Sequence, residues 1–234
     1  MSQKQLRVGP YLYSATDVRR TIGALDELLE HHRHGLADQA DKERLEATFE
    51  RFIQEVAAGR NLSDFMRDLW AELANTHGNS LLATGTVHSL QANGGGVPKP
   101  QIPEAEVDFS GVVGDVQDSR VHHGRPWQAL CIWSREVIDA FAASGDPITY
   151  GSAGENITVT GIDWSLVMPG TKLNIGSVEC FVTAFAIPCS QNKAWFANGD
   201  FRKMGHDRGD VSRVYAMVTK PGTIRPGDRV SLLG

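Results

Sequence analysis

The sequence has little of several features that mark specialised protein classes. It contains only three cysteines, Cys131, Cys180 and Cys189, and their spacing matches no zinc motif. An odd, small set of thiols suits a reducing cytoplasm better than a disulfide-stapled secreted scaffold. No apolar run approaches the length that spans a bilayer, and the N-terminal residues lack the apolar stretch of a secretory signal. We therefore expect a cytoplasmic protein without a membrane segment.

An excess of positive charge is also missing. The 234-residue chain carries 23 Lys and Arg against 28 Asp and Glu, a net charge of -5. Nucleic acids and anionic membranes both require a basic surface, so we expect neither as a partner. The composition, 41% hydrophobic and 22% charged, is ordinary for a globular protein. A chain of this length can bury a core without metal or disulfide staples.

The spacing of apolar residues changes once along the chain. Between Thr16 and Leu73, three short segments repeat at helical spacing, which predicts a small antiparallel helical module over residues 1–78. A turn-rich linker follows, and the domain boundary is placed there. Residues 79–234 contain short alternating strands separated by Gly, Pro and Asp, which predicts a β-barrel or sandwich. Within it, Ser134 is expected to cap a helix.

The stretch that ends at Cys189 combines a long strand with a break. Small apolar residues fall at every second position, which indicates one face of a buried strand: Val178, Cys180, Val182, Ala184 and Ala186. Pro188 then ends the ladder because it has no N–H to donate. Cys189 would therefore point out of a strand end, within reach of a pocket. From the pattern alone, an inert thiol is the commoner case. Cys131 and Cys180, inside apolar runs, are expected to be small core hydrophobes.

Several short motifs occur in a fixed order along the second half of the chain. They are Gly96-Val97-Pro98-Lys99, Gly114-Asp115, His122-His123-Gly124, Gly154-Glu155-Asn156-Ile157-Thr158, Met168-Pro169-Gly170, Pro188-Cys189 and Gly222 to Asp228. Together they resemble the MOSC domain, which is found in molybdenum cofactor sulfurases and in reductases of N-hydroxylated compounds. The resemblance covers residues 82–234. It implies a mainly β fold, a closed MOSC-type barrel of mixed strands with a few helices.

The resemblance also implies a site. Cys189 would be the catalytic residue and the protein ligand to molybdenum. The molybdenum cofactor, molybdopterin, would be held by Lys99, His123, Arg125, Asn156, Thr158 and Arg213. The implied reaction is the two-electron reduction of a small N-hydroxylated substrate, with electrons from a separate flavin or iron–sulfur protein. For each residue a plainer role stays open: a solvated loop lysine, a surface histidine pair, or side chains that close a turn.

Two departures from the resemblance place the cofactor in question. Relatives have an arginine where this chain has Ala186, and a second where the best alignment gives Met217. Losing two guanidinium groups would remove bidentate phosphate contacts. Arg208 is one replacement. Arg213 is another, because it lies four residues before Met217 and an even strand offset puts both on one face.

Two other functions remain compatible with the sequence. In the first, Cys189 carries a persulfide without bound metal, and the missing arginines are not needed. The family is also loosely linked to pyridoxal phosphate, although no lysine stands out as its Schiff base. In the second, the barrel binds a small molecule and the helical module of residues 1–78 serves for docking or homo-oligomer formation.

Overall fold

The structure, a computed structural model, describes residues 6–8, 11–13, 43, 47, 54, 79–116 and 126–234. The chain divides into two compact units, Met1–Gly78 and Asn79–Gly234. In the first unit, strands β1 (Leu6–Val8) and β2 (Tyr11–Tyr13) pair antiparallel. The helices predicted between Thr16 and Leu73 lie, apart from three single positions, outside the described residues.

The second unit is built mainly from strands. They are β3 (Leu81–Gln91), β4 (Gln101–Ile102), β5 (Ala105–Asp108), β6 (Gly111–Val112), β7 (Leu130–Ser134), β8 (Ile157–Thr160), β9 (Lys172–Ile175), β10 (Val178–Phe185), β11 (Val214–Lys220), β12 (Gly222–Ile224) and β13 (Arg229–Leu233). One α-helix, α1, spans Arg135–Ala143 in the described part of this unit. Short 3-10 helices span Pro126–Gln128, Trp164–Leu166, Ser190–Trp195, Ala197–Gly199, Phe201–Met204 and His206–Arg208.

Seven of these strands close into a barrel. The hydrogen-bonded order is β13, β9, β10, β11, β7, β8 and β3, and β3 pairs back onto β13. Neighbours are antiparallel except β7 and β8, which run parallel. Closure leaves these strands without an exposed edge. β12, β5 and β6 form a separate three-stranded sheet. The predicted mainly β fold, a closed mixed barrel with few helices, is thus confirmed for the described residues of this unit.

Helix α1 starts directly at the end of β7, as its sequence predicts. The Ser134 hydroxyl accepts a hydrogen bond from the Val137 amide (3.3 Å), the N-cap contact expected of serine. Ile138 is buried and Phe141 packs against the core. The main core consists mostly of aliphatic side chains, together with the aromatic side chains of Trp133, Trp164 and Phe196. None of the helices among the described residues is long and apolar enough to cross a membrane.

The alternation predicted along β10 holds for only half of its length. Its first members belong to the main core: Val178, Cys180 and Val182. A β-bulge between Val182 and Ala184 then shifts the pairing with β11. Beyond the bulge, Ala186 joins a second small cluster with Cys131 and Tyr215. The prediction of a single buried face was therefore wrong past Val182, because one extra residue in a strand sends the following side chains to the opposite face.

Candidate functional site

The second cluster lies where three neighbouring strands meet. Cys131 on β7 is paired with Tyr215 on β11, which is also paired with Ala184 on β10. Arg213 lies directly before β11, two residues before Tyr215. Cys131 is buried as predicted, but it is not part of the main core. Its environment includes charged groups: burial raises the pKa of its thiol, while Arg213 and Lys99 act in the opposite direction.

A buried carboxylate joins several candidate residues. The side chain of Asp115 is 1% exposed, and its Oδ2 accepts from Lys99 Nζ at 2.6 Å and from Asn156 Nδ2 at 2.9 Å. Its Oδ1 accepts from the Asn93 amide at 2.9 Å. A buried charge is tolerated when it is paired and hydrogen-bonded in this way. Lys99, predicted to be a cation for an anionic ligand, is thus already neutralised within the protein.

The loop that begins at Gly151 brings further groups beside Lys99. The Lys99 amide donates to the Gly151 carbonyl at 2.9 Å. Gly151 has φ +87, and a Cβ there would lie well inside contact distance of the Lys99 carbonyl oxygen. Only glycine suits both conditions. Glu155 Oε1 accepts from the Gly151 amide at 2.5 Å, and Arg213 Nη1 donates to the Ala153 carbonyl. Lys99, Glu155 and Arg213 therefore converge on one short loop.

Two buried polar atoms at this loop have no hydrogen-bond partner among the described residues. They are Glu155 Oε2, in a residue that is 0% exposed, and Arg213 Nε, in a residue that is 5% exposed. Burial raises the pKa of Glu155, against the opposing effects of the Gly151 amide, Arg213 and Lys99. An unpaired buried donor or acceptor is costly, so such atoms commonly contact bound water or a ligand. A polar molecule with both a donor and an acceptor would satisfy the two atoms.

Cys189 is the accessible thiol of the chain. It is half-buried, whereas Cys131 and Cys180 are buried, and burial raises the pKa of Cys180 to about 12. Cys189 has extended backbone (φ -108, ψ 142) and precedes the 3-10 helix Ser190–Trp195. Ile187, two residues earlier, is 77% exposed. The predicted strand break after β10 therefore places a thiol at the protein surface, next to an exposed aliphatic side chain.

The chain segment before Cys189 is tied to the segment before β11. The Ala186 amide donates to the Arg213 carbonyl at 2.8 Å, and Ser212 Oγ donates to the Ala186 carbonyl at 3.3 Å. Burial raises the pKa of the Tyr215 phenol, with further contributions from Cys131 and Cys189 and an opposing one from Arg213. Tyr215 thus lies within electrostatic range of two thiols and a guanidinium, which links Cys189 to the Arg213 end of the site.

Asn156 and Thr158, both predicted to hold a ligand, are engaged inside the protein. Asn156 Oδ1 accepts from the Cys131 amide at 3.1 Å while its Nδ2 donates to Asp115. Thr158 Oγ1 accepts from Gln91 Nε2 at 3.3 Å, and the residue is fully buried. These contacts fix the start of β8 against β7 and β3. Asn156 adjoins the site through Asp115, whereas Thr158 belongs to a separate hydrogen-bond network with Gln91.

Two predicted residues, His123 and Arg125, lie outside the described part of the chain, as does His122. Asp115 and Tyr215 were not among the predicted site residues. Asp115 had a signal, because Gly114-Asp115 is one of the ordered motifs. Tyr215 had none, since its place beside Cys131 depends on the register of β7 with β11. Across the described residues, no group of three or more His, Cys, Asp and Glu side chains could hold a metal ion by itself.

Comparison with protein families matches residues 119–231 to the MOSC domain. Comparison with the sequences of curated proteins yields no match. Among solved structures, one titled a hypothetical protein superposes with a TM-score of 0.53 at 22% identity, covering 64% of this chain and 69% of that one. YiiM from Escherichia coli superposes with a TM-score of 0.50 at 22% identity, covering 64% of this chain and 70% of its own. At these identities the structural likeness shows the fold alone.

Proposed function

We propose that this chain, whose residues 119–231 are a MOSC domain as its motifs predicted, binds the molybdenum cofactor with Cys189 as protein ligand to the metal. We further propose that it reduces N-hydroxylated small molecules. The observation that carries the proposal is the position of Cys189, the one accessible thiol of three, at a strand end tied to the Arg213 segment. Thiolate is a soft ligand suited to transition metals.

The charges of the buried residues fit an anionic cofactor. Lys99 and Asp115 neutralise each other, which leaves Arg213 and Glu155. Because burial raises the pKa of Glu155, the carboxyl is biased toward its neutral form. One positive charge, that of Arg213, then remains without a compensating anion in this set, and a negatively charged ligand would balance it. Burying a charge without such compensation is expensive.

The unpartnered atoms fit the same ligand. Arg213 Nε offers one N–H donor, and Glu155 Oε2 offers either an acceptor or, when protonated, a donor. A pterin ring edge carries both N–H groups and a carbonyl, and can satisfy the pair. With Cys189 as the single protein ligand to the metal, the remaining metal ligands belong to the cofactor.

The cofactor, when bound, supplies the two-electron chemistry. For a hydroxylamine R–NH–OH the reaction breaks the N–O bond, consumes two electrons and two protons, and gives R–NH2 and water. We assign the electrons to a separate flavin or iron–sulfur protein. The part of this chain is to ligate through Cys189, to hold anionic groups through Arg213, and to keep that end of the site dry through buried Tyr215 and Ala186.

The test is a reduction assay in which a chemical reductant replaces the separate electron-donor protein. Protein made in a host that synthesises the cofactor is given an N-hydroxylated aromatic amidine and chemically reduced methyl viologen, and the amidine formed is measured. We expect two equivalents of viologen oxidised per amidine formed, and loss of turnover in Cys189→Ala. Cys180→Ala, which removes a core thiol away from the site, is the matched control and keeps turnover. Unchanged turnover in Cys189→Ala would overturn the proposal.

A further inference from the structure

A cavity lies between α1 and the loop that follows β8. Its volume is about 540 Å³, and none of its lining residues belongs to the Cys189 site. Its apolar walls come from α1 on one side, and from the loop after β8 and the segment before β11 on the other. The apolar lining residues are Val137, Ala140, Phe141, Ile162, Trp164 and Val211. The volume is in the range of pockets that hold small ligands, about 300–1,000 Å³.

Two carboxylates stand among these apolar walls. Glu136 accepts from Ser134 Oγ at 2.8 Å, Thr160 Oγ1 at 2.6 Å and the Gly161 amide at 2.9 Å. Burial acts to raise the pKa of Glu136, but these hydrogen bonds outweigh it and hold the pKa at about 2. Asp163 Oδ1 accepts from Ser165 Oγ and the Ser165 amide, which lowers its pKa. Both side chains are therefore ionised at neutral pH.

The negative charge of this pair is not balanced within the described residues. No described lysine or arginine lies within ion-pair distance of Glu136 or Asp163. The nearest basic residue in sequence, Arg135, is instead paired with Asp139 at 3.1 Å. Because both carboxylates line the cavity, they would attract a cation bound there and repel an anion.

The cavity walls are held in place before any ligand arrives. Trp164 Nε1 donates to the Ser212 carbonyl at 2.7 Å, and Trp133 Nε1 donates to the Val211 carbonyl at 2.9 Å. On the other side, α1 is anchored by its Ser134 cap. Preformed walls reduce the conformational cost of binding.

We propose that this cavity binds a small organic cation, an ammonium group carried on an apolar or aromatic body. The ammonium would contact Glu136 and Asp163, and the body would pack against Phe141 and Trp164. The two features that select this class are the apolar lining and the unbalanced carboxylates, and neither depends on the molybdenum proposal.

The probe for this site is 2-phenylethylammonium, titrated calorimetrically into the full-length protein, with neutral 2-phenylethanol as the control of the same shape. We expect saturable binding of the ammonium that weakens with added salt, and an alcohol that binds at least about threefold more weakly. Equal affinity for the two compounds, or no saturable heat with the ammonium, would overturn the proposal.

Three variants test whether the ammonium compound binds in this cavity. Ala140 is exposed on α1 and lines the cavity, so Ala140→Trp should fill it and abolish binding without disturbing the core. Asp163→Asn keeps the shape and removes one charge, and should weaken binding about threefold. Asp139→Asn changes an exposed carboxylate on the same helix that does not line the cavity, and should leave binding unchanged. Full binding in Ala140→Trp would refute this location. If that variant does not fold, Asp163→Asn against Asp139→Asn decides: equal weakening in both would refute it.

Discussion

Replacing Lys99 by methionine tests the buried ion pair that underlies the site. Lys99 Nζ lies 2.6 Å from Asp115 Oδ2, and the two side chains are 7% and 1% exposed. Removing one partner of such a pair leaves an uncompensated buried charge, which costs about 3–5 kcal/mol. For a unit of this size, each kcal/mol lowers Tm by about 2–4 °C, so we expect Tm to fall by roughly 10 °C. Urea unfolding followed by circular dichroism gives the free energy directly.

Two further variants test whether the lost stability comes from the unpaired buried charge. In Lys99→Met/Asp115→Asn the buried charge is gone, and the single amide oxygen at position 115 can still accept from either Asn156 Nδ2 or the Asn93 amide, so part of the lost stability should return. Lys220→Met breaks an exposed pair with Glu179, whose side chains are 62% and 47% exposed, and should cost less than about 1 kcal/mol. A Lys99→Met cost similar to that of Lys220→Met, or a double variant as unstable as the single one, would refute the reasoning.

Three further perturbations address the loop, the buried acid and the helix cap. Burial raises the folded-state pKa of Glu155 above 4.5, so the folded protein binds more protons than the unfolded chain and stability should fall as pH rises above 4.5. Glu155→Gln should flatten this part of the urea-derived stability profile; an identical profile would contradict the assignment. Gly151→Ala, which forces a Cβ onto the Lys99 carbonyl at φ +87, should lower stability by more than about 1 kcal/mol in urea unfolding. Ser134→Ala should cost about 1 kcal/mol through loss of the α1 cap, and no change in the unfolding midpoint would argue against the cap.

The features that the sequence predicted correctly are local ones. Alternating apolar residues between turn formers indicate strands wherever they occur, and Ser134 before an apolar helical run indicates a cap. The end of β10 at Phe185, shortly before Pro188, agrees with the strand break predicted from proline chemistry. Closure of the strands into a barrel was implied by the ordered motifs rather than by any periodicity, and the described residues confirm it.

The features that the sequence did not reveal depend on long-range register. The bulge after Val182 moves Ala186 to the side of Cys131 and Tyr215, and no local pattern signals it. Cys131 and Cys180, which look alike in sequence, lie in different clusters because their side chains lie on opposite faces of the barrel strands. Lys99 and Asp115 are sixteen residues apart, and their pairing follows from how two loops meet. The local motif around Lys99 thus indicates this residue as a candidate but does not indicate its partner, Asp115.

The central claim is that Cys189 holds the metal of the molybdenum cofactor, and elemental analysis of purified protein tests it most directly. Wild-type protein and Cys180→Ala, expressed in a host that makes the cofactor, should contain nearly stoichiometric molybdenum, and Cys189→Ala should contain almost none. Molybdenum retained in Cys189→Ala would contradict the claim that Cys189 holds the metal. Absence of molybdenum from the wild-type protein would contradict the cofactor proposal itself and direct attention to a persulfide on Cys189, detectable by mass spectrometry after treatment with a sulfide donor.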